Sequence, residues 1–288
     1  MGCVAAGFAA ARLNPMLILD TPAEPDLVPY VACSVLAAQA VLVLAPHPDD
    51  EVFACGGSIA RHVSMGMPVS VLVLTDGALY GDAAVRQLEC RAAAGVLGYG
   101  EPEFWNYPDR GLVFDDVLVQ RLIEKIAQTG ADLVYAPSPW EVHPDHRQTY
   151  MLAVAAVHRS TSNVRLALYE IGAPLRPNVL LDITSLVETK EAAMRCFESQ
   201  LKQQDYAGHM QALNRYRTYT LGPDVLAAEA YWLVAPQELD QTLQASLLSL
   251  LSRGTLRHAA EAPAAPATGT SAPILFHRLN NWLTKIFS

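Results

Sequence analysis

The chain has 288 residues, of which 51% are hydrophobic and 17% are charged, so it can bury a sizeable core. This composition excludes a disordered, collagen-like or disulfide-scaffold protein. Acidic residues outnumber basic residues by 29 to 20, which gives a net charge of −9. We therefore expect no nucleic acid partner, because the protein has no overall attraction for a phosphate backbone.

The cysteines and the N-terminus bear on where the protein works. The five cysteines are scattered and form no C-x-x-C pair, so we interpret them as reduced structural thiols. The first residues fit neither a myristoylation pattern nor an export signal. These features favour a cytoplasmic location, with peripheral membrane contact as an alternative.

An uncharged stretch of twenty residues, Leu27 to Pro46, is long enough in principle to cross a bilayer. Pro29, Ser34 and Gln39 interrupt it, and its last part, 41–45, also suits a buried parallel strand. We favour the strand because the acid-rich sequence that follows cannot lie in lipid.

Short apolar runs alternate with segments of helical spacing from residue 41 to about 200. This alternation predicts right-handed crossovers and an α/β fold, a Rossmann-like three-layer sandwich with a mostly parallel central sheet and a helical C-terminal extension. From about Ser185 onward the pattern is helical. The predicted strands are 41–45, 69–74, 103–107, 132–136, 164–171 and 179–183, and the predicted helices are 57–64, 85–97, 113–129 and 145–159.

The composition changes toward both ends of the chain. A Pro/Ala-rich segment has nothing to bury and is typical of a linker, and apolar side chains recur at helical spacing after it. We expect this last helix to contact its own domain, a second copy in a homo-oligomer, or a membrane surface. The expected segments are an N-terminal extension (1–40), the main domain (41–235), a helix (236–260), the linker (261–273) and an amphipathic C-terminal helix (274–288).

A first cluster of polar side chains follows the first predicted strand. His47, Asp49 and Asp50 lie within four residues, where a parallel sheet of this type binds its ligands. Such groups would repel one another and lose solvation in a core unless a cation or water receives them. The alternative is a polar helix start in which Asp49 and Asp50 favour the helix dipole. Glu51 is interpreted separately as a residue that fixes the loop.

A second cluster, Glu141 to His146, follows the predicted strand 132–136 and therefore emerges at the same edge of a parallel sheet. His47, Asp50 and His146 can supply two nitrogens and one oxygen, which leaves the fourth tetrahedral position open as in a catalytic zinc site. Asp49 is then free to accept a proton, and His143 is placed to donate one or to stabilise an oxyanion.

These motifs resemble those of the PIG-L/LmbE-like zinc deacetylases, which carry an (A/P)-H-P-D-D-E stretch after the first strand and a later H-P-D-H. Both stretches stand intact at 46–51 and 143–146, and the similarity runs from about residue 41 to 231. The resemblance implies that 41–235 is a deacetylase domain holding a divalent metal, commonly zinc, with one ion per chain. It also implies hydrolysis of an N-acyl group, usually acetyl, from an N-acetylglucosamine-type amino sugar conjugate.

The resemblance also implies roles for single residues. Asp145 would orient an imidazole, and Arg86 and Asp109 would contact sugar hydroxyls, although ordinary surface ion pairing is an equal alternative for these two. The remaining implied roles are metal ligation by His47, Asp50 and His146, a general base at Asp49, and an electrophilic or acid role for His143.

Two other functions stay open at this point. A phosphoesterase could use clustered aspartates, although it would want more carboxylates than one ligand aspartate. A non-catalytic sugar-binding or scaffold protein could attach through its C-terminal helix, although it would have no reason to keep Asp49 and His143. Other residues are interpreted as structural or left undecided: His62 on the solvent side of a helix, His158 and His209 as structural, and Trp105, Trp140, Tyr169 and Tyr216 as either core or sugar-stacking.

Overall fold

The computed structural model describes residues 28–160 and 163–239. The predicted linker and amphipathic helix lie outside the described residues, as do 1–27 of the predicted extension and most of the predicted helix 236–260. The described start of that helix, Pro236–Glu238, is a 3₁₀ turn.

An eight-stranded sheet forms the centre of the molecule, and its strand order is β1-β7-β8-β6-β5-β2-β3-β4. Every neighbouring pair is parallel except the two pairs that include β8. The predicted α/β class with a mostly parallel sheet is therefore confirmed. The strands are β1 Val31–Cys33, β2 Val41–Ala45, β3 Val69–Thr75, β4 Glu103–Tyr107, β5 Leu133–Pro137, β6 Arg165–Tyr169, β7 Val179–Asp182 and β8 Ala228–Val234.

Helices cover both faces of this sheet, because successive residues of each central strand point to opposite sides. Val41 and Val43 pack with one group of helices, whereas Leu42 and Leu44 pack with the other. The first group is α1 Asp50–Ser64, α2 Ala83–Leu97, α5 Val187–Met194 and α7 Tyr206–Tyr216, the second is α3 Asp116–Thr129 and α4 Pro144–Arg159, and α6 is the short helix Glu198–Leu201.

The register of the central strands decides which loops become neighbours. All five residues of β2 are buried, and Val43 pairs with Val71 of β3 and Tyr135 of β5. Since the three strands are parallel, the chain leaves each of them at the same edge. The loops after β2 and β5, which carry the two polar clusters, therefore lie side by side.

The starts of two helices follow from residues at the ends of these loops. Asp49 precedes α1, and Asp50 and Glu51 occupy its first turn, where the helix dipole favours negative charge. His143 precedes α4, and Pro144 takes a first-turn position that needs no N–H donor. Each helix thus begins inside a polar cluster and fixes its direction.

Four features of the structure differ in detail from the sequence predictions. The first helix begins at Asp50 and not at residue 57, so Asp50 of the first cluster is helical. Strand β8 lies in the region predicted as helical, and the edge strand β1 lies inside the predicted N-terminal extension. His62 does not face solvent: it is fully buried, its Nε2 lies 2.9 Å from the hydroxyl of Tyr135, and burial lowers its pKa to about 4.

Residues 28–46, the described part of the uncharged stretch, are not helical, since they contain β1, an irregular segment and β2. Of the helices in the described part of the chain, none combines the length and the apolar character needed to cross a bilayer.

Candidate active site

Three side chains converge beyond the ends of β2 and β5. Oδ2 of Asp50 lies 3.1 Å from Nδ1 of His47 and 3.2 Å from Nε2 of His146. Two ligand atoms of a tetrahedral zinc with bonds of 2.0–2.1 Å are about 3.3 Å apart, so each of these two distances fits a pair of ligands on one metal ion. All three residues are buried, which makes an uncompensated cluster of this kind costly. The donor set therefore fits a divalent metal.

Other donors lie close enough to compete for a metal. His143 belongs to a compact group with His47 and His146, and Asp109 and Asp145 form a second group with two of these histidines. Their contacts set them apart from the first three residues. Nδ1 of His143 accepts from the amide of Asp145 at 3.3 Å, and both carboxylate oxygens of Asp145 accept from backbone amides.

A carboxylate stands behind each of the two candidate imidazole ligands. Oδ2 of Asp145 lies 3.2 Å from Nε2 of His47, and Oε2 of Glu141 lies 3.4 Å from Nδ1 of His146. Carboxylates in this position fix the tautomer and the direction of a metal-binding imidazole. The sequence analysis predicted such a role for Asp145 but none for Glu141. The available signal was the position of Glu141, two residues before the second motif.

Asp49 has an unusual backbone and a firmly held side chain. Its φ of 135° lies in a region that residues other than glycine rarely adopt, and such conformations cluster at functional sites. Its amide donates to Oε2 of Glu51, and its carboxylate accepts from Nη2 of Arg86 at 2.9 Å. Burial raises the pKa of Asp49 to about 6, and Arg86 acts in the opposite direction. A proton acceptor with such a pKa suits chemistry near neutral pH.

Arg86 is buried, so surface ion pairing was the wrong alternative for it. Its guanidinium donates to the carbonyl oxygens of Gly77 and Pro48 as well as to Asp49. Gly77 has a φ of 60°, and a Cβ there would lie 2.2 Å from Nη1 of Arg86. The absence of a side chain at this glycine is therefore what allows the guanidinium to reach the site.

The side chain of Asp109 is also largely buried, since it is only 7% exposed. Its Oδ2 accepts from the amide of Leu79, and its Oδ1 lies 3.5 Å from Nε2 of His47. That Oδ1 is buried, and it has no hydrogen-bond partner among the described residues.

His143 faces the same space from the start of α4. Its ring lies 4.5 Å from that of His47 and 5.4 Å from that of His146, measured between centroids. Burial and these two imidazoles lower the pKa of His143 to about 4. Because Nδ1 accepts from a backbone amide, the neutral ring carries its proton on Nε2.

A cavity of about 550 Å³ contains both clusters and extends toward α7. All the predicted site residues line it except Asp145, which is fully buried behind His47. His209, interpreted from the sequence as structural, lies on the cavity wall. The aromatic side chains in the lining are Phe53, Tyr80 and Tyr206, whereas Trp105, Trp140, Tyr169 and Tyr216 are not part of it.

The four excluded aromatics have other roles or contacts. Trp140 stacks on Trp232 with ring centroids 5.2 Å apart, and Tyr169 is buried and donates to the carbonyl oxygen of Leu44. Trp105 lies under the guanidinium of Arg121, and Tyr216 is exposed. Which aromatic side chains face the cavity depends on tertiary packing and could not be read from their residue type.

Comparisons with known proteins agree with this arrangement. A profile of the PIG-L family, described as GlcNAc-PI de-N-acetylase, matches residues 42–157, which include both clusters. Diacetylchitobiose deacetylase from Thermococcus kodakarensis is 30% identical over 185 residues, covering 56% of this chain and 69% of that protein. A probable N-acetyl-alpha-D-glucosaminyl L-malate deacetylase 2 from Bacillus anthracis is 28% identical over 186 residues, with 56% and 80% covered.

A solved structure supports the same conclusion. The N,N'-diacetylchitobiose deacetylase from Pyrococcus horikoshii, in complex with an inhibitor, matches with a TM-score of 0.63 and 28% identity. The match covers 70% of this chain and 85% of that one. Fold and site together define an α/β protein with a cluster of metal donors at the carboxyl edge of its sheet. The chain belongs to the PIG-L family, whose deacetylases are metal-dependent.

Proposed function

We propose that the protein is a metal-dependent hydrolase that removes an N-acyl group, acetyl in the first instance, from an N-acetylglucosamine-type amino sugar conjugate. One observation carries the proposal: a carboxylate and a neutral imidazole, Asp49 and His143, flank a set of three metal donors inside one cavity. Family membership and the deacetylase relatives support the same reaction.

His47, Asp50 and His146 would hold the metal, and two imidazoles with one carboxylate favour zinc over magnesium, at one ion per chain. When bound, the ion supplies a Lewis acid that polarises the amide carbonyl and acidifies the attacking water. Asp145 keeps His47 in place from behind.

Asp49 takes the proton of the attacking water. Its carboxylate lies next to the metal donors and is directed by Arg86, which holds Oδ2 at 2.9 Å. General-base catalysis of this kind contributes roughly 100- to 10,000-fold to the rate. The same carboxyl group can then pass the proton to the leaving amine.

His143 stabilises the negative charge that develops on the carbonyl oxygen. With Nδ1 bonded to the backbone at the start of α4, Nε2–H is the donor that remains for a substrate. We therefore assign His143 to oxyanion stabilisation rather than to proton transfer from an imidazolium.

The sugar lies against Asp109 and the conjugated group extends along the cavity. Asp109 lines the cavity, while Nη1 and Nη2 of Arg86 donate to protein groups and direct Asp49. Beyond the metal donors the cavity passes Tyr80, Tyr206 and His209, which suit a polar ring attached to the amino sugar.

The two alternative functions receive less support. A two-metal phosphoesterase needs bridging carboxylates, but Asp145 is occupied by backbone amides and Asp49 by Arg86. A sugar-binding scaffold does not need a strained and buried carboxylate, and the backbone of Asp49 costs about 1–3 kcal/mol.

The test joins metal analysis to an acetate-release assay over N-acetylglucosamine and several N-acetylglucosaminides. We expect about one zinc per chain, release of acetate, loss of activity in chelator, and a lower metal content in His146→Ala. Unchanged metal and unchanged activity in His146→Ala would refute the site, and wild-type protein that holds zinc but releases no acetate would refute the reaction.

We also propose that the predicted helix 274–288 contacts protein, either the main domain or a second subunit, rather than lipid. Its apolar face must be buried against another surface. Arg278 and Lys285 are the only Lys or Arg residues in 274–288, so they attract anionic lipid weakly. Flotation with liposomes of the full chain and of a chain ending at Pro263 tests this, and flotation of the full chain alone would favour the membrane.

We propose in addition a cytoplasmic location. The four cysteines of the described residues are free, which supports it.

A further inference from the structure

Glu141 contacts three groups at the carboxyl edge of the sheet. Its side chain is completely buried between the end of β5 and the loop that follows β6. Oε1 accepts from the amide of Ile171 at 2.8 Å, and Oε2 accepts from the amide of Gly172 at 3.0 Å. Oε2 also lies 3.4 Å from Nδ1 of His146.

His146 depends on this carboxylate for its orientation. Nε2 of the ring faces Asp50 at 3.2 Å, and as the proposed metal ligand this nitrogen would offer its lone pair to the ion. Nδ1 then carries the proton, and it is buried without any other hydrogen-bond partner in residues 28–160 and 163–239. Oε2 of Glu141, at 3.4 Å, is the carboxylate oxygen that the structure places beside this N–H.

The other two contacts of Glu141 hold the wall of the cavity. Ile171 and Gly172 line the same cavity as His146. A Cβ at position 172 would lie 3.1 Å from Oε2 of Glu141, closer than most side-chain contacts allow. Glycine at this position lets the loop approach closely enough for both amides to reach one carboxylate.

We infer that Glu141 is a positioning residue that couples a metal ligand to the cavity wall. It orients His146 for the metal and, through Ile171 and Gly172, sets the wall on which the substrate rests. The metal part of this inference rests on the proposed metal site, and the substrate part rests in addition on the proposed reaction. Outer carboxylates of this type typically change metal affinity by about 10- to 100-fold when they are replaced.

Glu170 provides a matched control, because it anchors the same loop without touching an imidazole of the site. It is buried, it accepts from the amide of Leu175 at 2.7 Å, and it binds Arg217. If Glu141 only shaped the loop, the two glutamates would have similar effects on metal binding.

The experiment compares Glu141→Gln and Glu170→Gln with the wild-type full chain. Zinc dissociation constants are measured on chelator-treated protein by competition with a chromophoric chelator, after circular dichroism has established folding. We expect Glu141→Gln to weaken zinc binding about tenfold, at the low end of the range, because an amide oxygen can still accept from His146. Glu170→Gln should bind zinc as the wild type does. With saturating zinc, Glu141→Gln should also raise KM.

A folded Glu141→Gln protein with wild-type zinc affinity would overturn the inference, and so would an equal loss in Glu170→Gln. If Glu141→Gln does not fold, Gly172→Ala replaces it, since its methyl group would press on Oε2 and should weaken zinc binding in the same direction. Unchanged zinc affinity in Gly172→Ala would then count against the inference. Zinc affinity is independent of acetate release, so failure of the reaction and failure of the coupling are distinguishable.

Discussion

Asp49 is the residue on which the proposed chemistry depends most directly. Replacing Asp49 with Asn keeps the size of the side chain and an acceptor for Arg86, but it removes the group that takes the proton. We expect turnover to fall by roughly 100-fold or more while the zinc content stays at the wild-type level. Steady-state kinetics and metal analysis of the same preparation measure both quantities. Near-normal turnover of zinc-loaded Asp49→Asn would place the base at another residue.

The substitution Gly77→Ala tests the link between Arg86 and Asp49 without changing either residue. The added methyl group would displace the guanidinium of Arg86, which donates to Asp49 at 2.9 Å. The loss of one hydrogen bond to a charged group, about 1.5–3 kcal/mol, predicts a fall in kcat/KM of roughly tenfold or more. Because residue 77 has a left-handed backbone, Gly77→Ala should also lower the free energy of unfolding by about 1–2 kcal/mol.

Gly130→Ala is the control for this substitution. Gly130 has a similar φ of 64°, but a Cβ there would meet open space. The Gly130→Ala protein should therefore lose the roughly 1–2 kcal/mol of stability expected from a left-handed backbone, measured by urea denaturation, and keep the wild-type kcat/KM. Equal activity of the two variants would argue against a role for Arg86 in directing Asp49.

At the residue scale, the sequence could predict the donor types but not their partners. His47, Asp50 and His146 stand in two compact motifs, so their meeting followed from the parallel sheet alone. The contacts of Arg86 and Glu141 depend on loops brought in from distant parts of the chain, and no local pattern encodes them.

At the scale of elements, a buried ion pair joins the antiparallel strand to the helices. Nζ of Lys190 in α5 lies 2.7 Å from Oε1 of Glu229 in β8, and both side chains are almost completely buried. Glu229 also accepts from the amides of Gly57 and Ser58 in α1. Burial acts to raise the pKa of Glu229, but Lys190 and the other donors hold it below its usual range.

Lys190→Met should therefore destabilise the protein strongly, because it leaves the carboxylate of Glu229 buried without its cation. We expect a loss of about 3–5 kcal/mol in the free energy of unfolding, measured by urea denaturation. The exposed pair Lys202 and Glu198 is the control, and Lys202→Met should change stability by less than about 1 kcal/mol. A similar small effect of both substitutions would mean that the buried pair contributes little.

The elements that the sequence analysis missed share a physical reason. Strand β8 carries a charged residue, Glu229, at a buried position, which breaks the apolar run expected of a central strand. Strand β1 has only three residues at the edge of the sheet, which are too few to show the alternation of buried and exposed side chains typical of a strand. The strands β2, β3 and β5 were predictable because they are continuous or nearly continuous buried runs.

At the scale of the whole molecule, the metal donors connect parts of the chain that are far apart in sequence. His47 and Asp50 come from the first loop and α1, whereas His146 lies in α4, on the other face of the sheet. The unfolded chain does not hold these groups together, so a metal bound there stabilises the folded state through linkage.

Zinc at about 100 times its dissociation constant should therefore raise the free energy of unfolding of the chelator-treated protein by about 2.7 kcal/mol. Urea denaturation with and without added zinc measures this difference, and magnesium should give a smaller one because imidazole ligands favour zinc. His146→Ala lacks one of the three donors and should gain much less from the same zinc concentration. If His146→Ala gained as much as the wild type, zinc would be acting elsewhere on the protein, and the loops after β2 and β5 would not share the ion.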